Sequence, residues 1–366
     1  MIGIVARNGI ETVYDIAAAA GVSVATVSRV LNQFPNVNEK TREKVLAVIR
    51  KSGFRPNAHA RRLVGGRSGQ VCFLLSNRDV VHSFHSRILM GAEDYCRQHG
   101  YHVVFTTVDY TRDHEFPGAS LPRIIREHGG VEGLLLAGVN YPVLLRYLDK
   151  LRVQYALFGN NLVTGSLALP RSACVSFDEV QGGEQAAALL AELGHRQIVF
   201  VGDLSKPWYQ RRYEGYRRAV QARGLADAVI DPGSDESGFE LGGRAVSMLL
   251  RNHPKATAIA AQDDETACGI LHTLQRVGIR IPDDISVVGY DDITEIRYLN
   301  PALTTVRVPK EQIGWTMADQ LLGRKKPSGT AAPVVLPTEL VIRDSCRRLK
   351  EKLKPVSHDA SKKLTA

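Results

Sequence analysis

Nine hydroxyl, amide and carboxylate side chains, Ser76, Asn77, Asn160, Asn161, Asp203, Asp263, Asp264, Asp291 and Asp292, each stand just after a short apolar run. Converging groups of this kind can hydrogen-bond the hydroxyls of a polyol. The same residue types also cap the helix that follows a strand, so composition leaves both uses open. A second chemistry lies in the charge distribution. Residues 1–67 carry 11 Lys/Arg against 4 Asp/Glu, residues 343–366 carry 8 against 3, and the whole chain of 366 residues has a formal charge of +9. The stretch between the two ends is therefore slightly acidic. Lysines serving solubility would be spread evenly, whereas a basic N-terminal module on a near-neutral body is the footprint of a phosphate-backbone binder.

The polar row needs a scaffold, and the chain from Val71 onward supplies a recognisable one. Short apolar runs (Val71 to Leu75, Val103 to Thr107, Gly133 to Ala137, Tyr155 to Phe158, Ile198 to Val201, Thr257 to Ala260, Ile285 to Val288) alternate with amphipathic stretches such as the stripe Ile88, Leu89, Ala92, Cys96. That alternation predicts a parallel α/β sheet, whose ligands bind beyond the carboxyl ends of the strands.

The basic module predicts three short helices between Thr12 and Ser52. Thr12-Val13-Tyr14-Asp15 has the form of a capping box, with Ile16, Ala17 and Ala20 on one face and Gly21 at the stop. Ser23 caps a second helix, Val24 to Leu31, with Val27, Val30 and Leu31 as its inner stripe and a small, polar outer face. Asn38 caps a third, Glu39 to Lys51, with Val45, Val48 and Ile49 inward and Gly53 closing it. Two helices joined by a tight glycine turn and braced by a third describe a helix-turn-helix, although an ordinary three-helix bundle has the same pattern. After it, Arg55-Pro56-Asn57-Ala58-His59-Ala60-Arg61-Arg62-Leu63 reads as a short cationic helix, too short to be stable alone, before the linker Gly65 to Gly69.

At this point a family emerges. Asp15-Ile16-Ala17, the run Gly21-Val22-Ser23-Val24-Ala25-Thr26-Val27-Ser28-Arg29-Val30-Leu31-Asn32, Thr41-Arg42-Glu43-Lys44-Val45 and Arg55-Pro56-Asn57-Ala58 together resemble the lactose/galactose repressor (LacI/GalR) family, from about Glu11 to Arg343. The resemblance implies that Val24, Ala25, Thr26 and Arg29 face base edges, with Arg29 reading guanine. Ser23, Asn32 and Asn36 would hold phosphates or neighbouring bases, with Thr12, Asn57 and Ala60 among the DNA-contacting positions. Leu63 matches the leucine that the family wedges into a central minor-groove step. His59 departs from the aliphatic residue usual at its position.

For the body, the resemblance implies a two-lobed periplasmic-binding-protein-like fold with its ligand between the lobes. Gln210 to Tyr216 matches the segment whose arginine binds effector, which puts Arg212 in that role, and Gly289-Tyr290-Asp291-Asp292 matches the acidic motif that takes sugar hydroxyls. Phe177 and Asn160 align with pocket walls. Ser76 and Asp263 join from the strand-end row, and Trp208 offers an aromatic face to a sugar ring. The chain departs from the family where Asp263-Asp264 replaces an Asn-Asp pair, where Gly233 replaces an aromatic, and where the loop from Asn77 to Ser83 is longer by about one residue.

An enzyme finds little support: the sequence has no phosphate-binding loop ending in Gly-Lys-Ser/Thr, no nucleophile elbow and no His/Cys metal cluster. His195 stands at a helix end, where a C-terminal cap is expected rather than a catalytic base, and Gly182-Gly183 and Gly242-Gly243 mark tight packing or turns. The five scattered cysteines suit reduced thiols. The expected architecture is a small all-α helix-turn-helix head (residues 1–54), a hinge helix and linker (55–69), a two-lobed α/β body with parallel sheets that binds effector and dimerises (70–345), and a basic, unstructured tail (346–366). The expected protein is a cytoplasmic, homodimeric transcription regulator, a repressor, without cofactor, metal or membrane. Its expected partners are a pseudo-palindromic double-stranded operator and a sugar or sugar derivative.

Overall fold

A computed structural model describes residues 12–31, 34–54, 68–78, 83–112, 115–127, 130–163, 173–233, 237–323 and 333–349. The hinge segment, with Asn57, His59, Ala60 and Leu63, lies outside the described residues, as do Asn32 and residues 350–366. The chain divides into two units, Met1–Ser68 and Gly69–Ala366.

In the first unit, α1 (Val13–Ala20), α2 (Val24–Leu31) and α3 (Glu39–Ser52) enclose a small core of Ile16, Ala17, Ala20, Val27, Val30, Val45 and Phe54. Leu31, Val48 and Ile49 are only partly buried against it. The Thr12/Asp15 capping box forms, and Gly21, at φ 60°, takes the left-handed conformation that lets α1 stop within one residue. The axis then turns by 106° into α2, within the range for two helices of a helix-turn-helix.

The second unit holds two six-stranded sheets. The first contains β1 (Gln70–Ser76), β2 (His102–Val108), β3 (Gly133–Gly138), β4 (Tyr155–Phe158), β5 (Ala173–Phe177) and β11 (Val334–Leu336), in the order β11-β5-β4-β3-β1-β2, all parallel. The second contains β6 (Ile198–Val201), β7 (Val229–Ile230), β8 (Ala258–Ala261), β9 (Ser286–Asp291), β10 (Thr304–Arg307) and β12 (Glu339–Val341), in the order β12-β10-β9-β8-β6-β7; only β12 runs antiparallel to its neighbour. The inner strands β3, β4, β6 and β8 are buried on both faces, which is why they read as unbroken apolar runs instead of alternating. Each sheet follows the doubly wound order in which the second strand lies outside the first.

The chain crosses between the lobes three times. β5 leads through Asp178 to helix Glu179–Glu192 of the second lobe; β10 leads back through residues 308–309 to helix Lys310–Leu322, which packs on the first sheet; and β11 leads through residues 337–338 to β12. The first and third crossings are tied together by Asp178 N donating to Leu336 O at 3.1 Å, and Lys310 Nζ fastens the second to the second lobe by donating to the carbonyl of Asp292 at 3.2 Å. Beneath them a shared core joins the lobes, with Phe158 and Phe177 stacked at 6.2 Å and Tyr290 against Phe177 at 6.4 Å.

Helices pair through glycines. A Cβ on Gly91 would lie 1.9 Å from the Glu311 carbonyl oxygen, and one on Gly314 would lie 1.8 Å from that of Ile88. Helices Glu179–Glu192 and Pro207–Gln221 repeat the device, with Gly183 at 2.1 Å from the Arg212 carbonyl and Gly215 at 2.0 Å from that of Val180. The expectation of tight packing at Gly182, Gly183 and Gly242 therefore holds. Since both obstacles are backbone, Gly183→Ala is expected to cost about 1–2 kcal/mol in urea unfolding and to displace the helix turn that carries Arg212. An unchanged midpoint would show that the two helices can part freely.

The C-terminal segment is held further than the expected boundary at residue 345. Leu349 N donates to the Leu193 carbonyl at 2.8 Å, and residues 346–349 are irregular chain rather than the start of a helix. His195 caps the preceding helix through its backbone, N donating to the Leu190 carbonyl at 3.1 Å, while its side chain fastens this segment: Nε2 donates to the Arg347 carbonyl (3.1 Å), which leaves Nδ1 to accept from the Thr257 hydroxyl (3.0 Å). Burial lowers the His195 pKa from its ordinary 6.5. The neutral folded form is therefore favoured above that value, and its contribution is lost as pH falls below about 6.5, where the unfolded imidazole takes up a proton first. Unfolding midpoints measured between about pH 5 and pH 7.5 are expected to fall in acid for the parent and to fall less for His195→Gln. Equal slopes would remove His195 from the account.

Candidate functional site

In the head, the sequence folds so that one face of α2 stays open. Val27 and Val30 point inward; Ser23, Ala25 and Arg29 are exposed, and Val24, Thr26 and Ser28 are half-buried. Ala25 and Arg29 are four residues apart and share a face. Small side chains at the start of the helix let its backbone approach a surface, and Arg29 reaches from the next turn. Ser23 accepts from Thr26 N at 3.1 Å, and the two hydroxyls pair at 2.9 Å, so part of their hydrogen-bonding capacity is spent on the cap. Thr12 is likewise engaged with Asp15. Asn36 is exposed in the turn before α3, and Arg42 Nη2 fastens that turn by donating to the Phe34 carbonyl at 2.7 Å.

In the body, five of the seven expected ligand residues meet. Phe177, Trp208, Arg212, Asp263 and Asp291 line one cleft of about 230 Å³ between the lobes. Ser76 and Asn160 do not. Ser76 Oγ is fully buried and donates to Asn140 Oδ1 at 2.9 Å, and the Asn160 amide is consumed by the Phe177 backbone in both directions, at 2.9 and 3.0 Å. Both sit where strand ends need satisfying, and both do that work; the neighbouring Asn161 lines the cleft instead.

Arg212 organises the cleft. It is 4% exposed; Nη2 donates to Asp291 Oδ1 at 2.9 Å, Nη1 to the Gln262 carbonyl at 2.6 Å, and Nε lies 3.9 Å from Glu179 Oε1. Its guanidinium carbon stands 3.9 Å from the centre of the Tyr290 ring. Burial opposes its charge, but the facing Asp291 and Glu179 carboxylates outweigh it and hold Arg212 protonated. Burial pushes the Asp291 carboxyl up, with Arg212 pulling the other way. Asp291 and Asp292 lie at φ 109° and φ 52°, a region that non-glycine residues rarely adopt. The strain turns the two carboxylates apart: Asp291 faces the cleft, while Asp292 binds Arg307 at 2.7 Å and Arg343 outside it. Burial raises Asp292, but hydrogen bonds from Arg343 and Arg307 outweigh that and hold it below its usual value.

Asp263 serves both uses that composition left open. Oδ1 caps helix Asp264–Arg276 by accepting from Thr266 N at 2.8 Å, and Oδ2 accepts from the Tyr209 hydroxyl at 2.6 Å in the cleft. Asp263 is thus the extra carboxylate of the pair, while Asp264, which matches the family's aspartate, points away: it accepts from the backbone of Ile293 at 2.9 Å, and burial pushes its pKa well up. Sequence reasoning missed Arg78, His85, Tyr209 and Gln262, which also line the cleft. Tyr209 was within reach, being next to Trp208 and three residues before Arg212 on one helix face. Among the described residues no group of three His, Cys, Asp or Glu could hold a metal ion, all five cysteines are free, and no single helix is long and apolar enough to cross a membrane.

A helix-turn-helix head on a two-lobed α/β body with a polar cleft defines a two-part class, a groove-reading module joined to a ligand-binding module. Residues 12–57 match the family described as bacterial regulatory proteins, lacI family, and residues 187–346 match the periplasmic binding protein-like domain. The HTH-type transcriptional regulator DegA of Bacillus subtilis is 31% identical over 91% of this chain and 97% of its own length. Among solved structures, the transcriptional regulator CelR in complex with cellobiose is 29% identical, with TM-score 0.63 over 92% of this chain and 100% of that one. The lac repressor dimer bound to operator and an anti-inducer is 26% identical, with TM-score 0.74 over 93% and 100%. The chain belongs to the lacI family of bacterial regulatory proteins.

Proposed function

We propose that this chain is a sequence-specific transcription regulator, a repressor, that grips a pseudo-palindromic operator as a homodimer and changes its grip when a small sugar-like molecule fills the cleft. The observation that carries the reading is the buried Arg212–Asp291 pair beside Trp208, at the mouth of two lobes, on a chain whose α2 presents an open Ala25/Arg29 face. CelR with cellobiose and the lac repressor with operator are relatives in which each half of that reading is occupied. In this assignment residues 1–54 are the head, 55–69 the hinge, 70–345 the effector-binding and dimerising body, and 346–366 a basic tail. Ser23, Val24, Ala25, Thr26, Arg29 and Asn36 meet DNA, joined by Thr12, Asn32, Asn57, Ala60 and Leu63; Phe177, Trp208, Arg212, Asp263 and Asp291 meet the ligand. One helix-turn-helix per chain reads one half-site, so a symmetric site needs two chains. The protein acts in the cytoplasm, where its operator lies, as a regulator rather than an enzyme: the cleft carboxylates Asp263 and Asp291 are each engaged by a neighbouring side chain.

Selection of bound DNA by the full chain, with and without a panel of sugars, tests this. The expected product is a palindrome whose half-sites are about one helical turn apart and whose affinity shifts with at least one sugar. An asymmetric site bound at full affinity by a monomer, or affinity indifferent to every sugar, would overturn it.

A further inference from the structure

Most charged side chains that line the cleft are already satisfied within the protein. On the second lobe Arg212 holds Asp291, Asp263 holds Tyr209 and Thr266, and Asp203 accepts from Ser205 N at 2.9 Å with Lys206 at 3.8 Å. Glu265 has a partner as well. Arg78, which enters from the first lobe two residues beyond β1, differs. Its Nε, like that of Arg212, is buried without a hydrogen-bond partner, and unlike Arg212 it forms no ion pair among the described residues. Its guanidinium carbon lies 5.3 Å from the centre of the Trp208 ring. A cation over a ring face engages its charge and leaves its N–H donors unspent, and a buried charged donor without an acceptor is costly.

Resting on the reading of this cleft as the ligand site, we infer that its ligand is an anionic sugar derivative whose carboxylate or phosphate group binds Arg78. The second lobe supplies the Asp263 and Asp291 carboxylates, which suit hydroxyls and repel an anion, so the two lobes fix the ligand's direction: acid towards Arg78, hydroxyls towards the carboxylates. A neutral sugar could offer Arg78 only hydroxyl or ring oxygens, weaker acceptors for a charged donor than an oxyanion. The planar guanidinium accommodates either oxyanion in two parallel hydrogen bonds.

Calorimetry on the full chain with D-glucose, D-galactose, their uronic acids and their 6-phosphates tests the inference. At least one anion is expected to bind tenfold or more tightly than its neutral parent, and the uronate and phosphate arms tell which oxyanion is preferred. Arg78→Gln is expected to reduce that anion-to-neutral ratio at least tenfold, and Arg78→Lys to keep part of it. Neutral sugars binding as tightly as their acids, or a ratio unchanged in Arg78→Gln, would overturn the inference while leaving the cleft as a sugar site. If no member of the panel binds, the inference and the reading beneath it fall together.

Discussion

Arg212→Ala is expected to lower the stability of the body by about 3–5 kcal/mol, besides abolishing any response of DNA binding to ligand. The cause is what the substitution leaves behind. Asp291 is buried and loses the cation that faces it, Glu179 is left with Arg211 alone, and the Gln262 carbonyl loses its donor. From the sequence alone, Arg212 is only a ligand contact, whose loss should leave the unliganded protein almost intact; the geometry makes it a keystone of the second lobe as well. Asp291→Asn separates the two roles. It keeps the shape and an acceptor for Arg212, whose guanidinium still faces the Glu179 carboxylate at 3.9 Å, so ligand response is expected to be lost at a smaller cost in stability. Urea unfolding alongside operator titrations by fluorescence anisotropy, with and without ligand, checks both variants. An Arg212→Ala protein that unfolds at the parent's midpoint and still answers to ligand would show that the pair is peripheral.

Arg29→Ala is expected to weaken binding to the cognate operator by about 1–3 kcal/mol, roughly fivefold to 150-fold, with little change on random DNA. Arg29 is exposed and shares its helix face with Ala25, which offers no polar group of its own, so hydrogen-bond readout from that face falls to the arginine. A base contact carries discrimination, whereas a phosphate contact adds affinity on every sequence. Anisotropy titrations on the two DNAs at several salt concentrations distinguish these. Equal loss on both, with a shallower salt dependence, would mean that Arg29 holds only the backbone.

Much of the fold is legible in the sequence because its signals are local. The capping box at Thr12, the turn at Gly21 and the fully buried runs of β3 and β4 each depend on neighbours within a few residues. β11 and β12, three residues each, have no such signal, since their pairing with β5 and β10 is decided by where the chain crosses between lobes. The site divides in the same way. Arg212 and Trp208 share a helix face and can be read together, but nothing near Asn160 in sequence reveals that the Phe177 backbone, seventeen residues on, will occupy its amide. Arg78 escapes notice because its significance, a buried Nε without a hydrogen-bond acceptor among the described residues, is a property of three-dimensional surroundings.

The three crossings have a mechanical meaning. Two bodies joined by one strap can swing, slide and twist; two straps suppress most of the twist; three straps, the first and third joined by Asp178 N to Leu336 O and the second anchored by Lys310 to the turn after β9, favour opening and closing about a single axis. A hinge with one degree of freedom acts as a rectifier. Whatever small molecule enters, and however it is shaped, the body can report it only as a position along one angle, so ligands of different chemistry rank on one scale of response rather than producing different kinds of output.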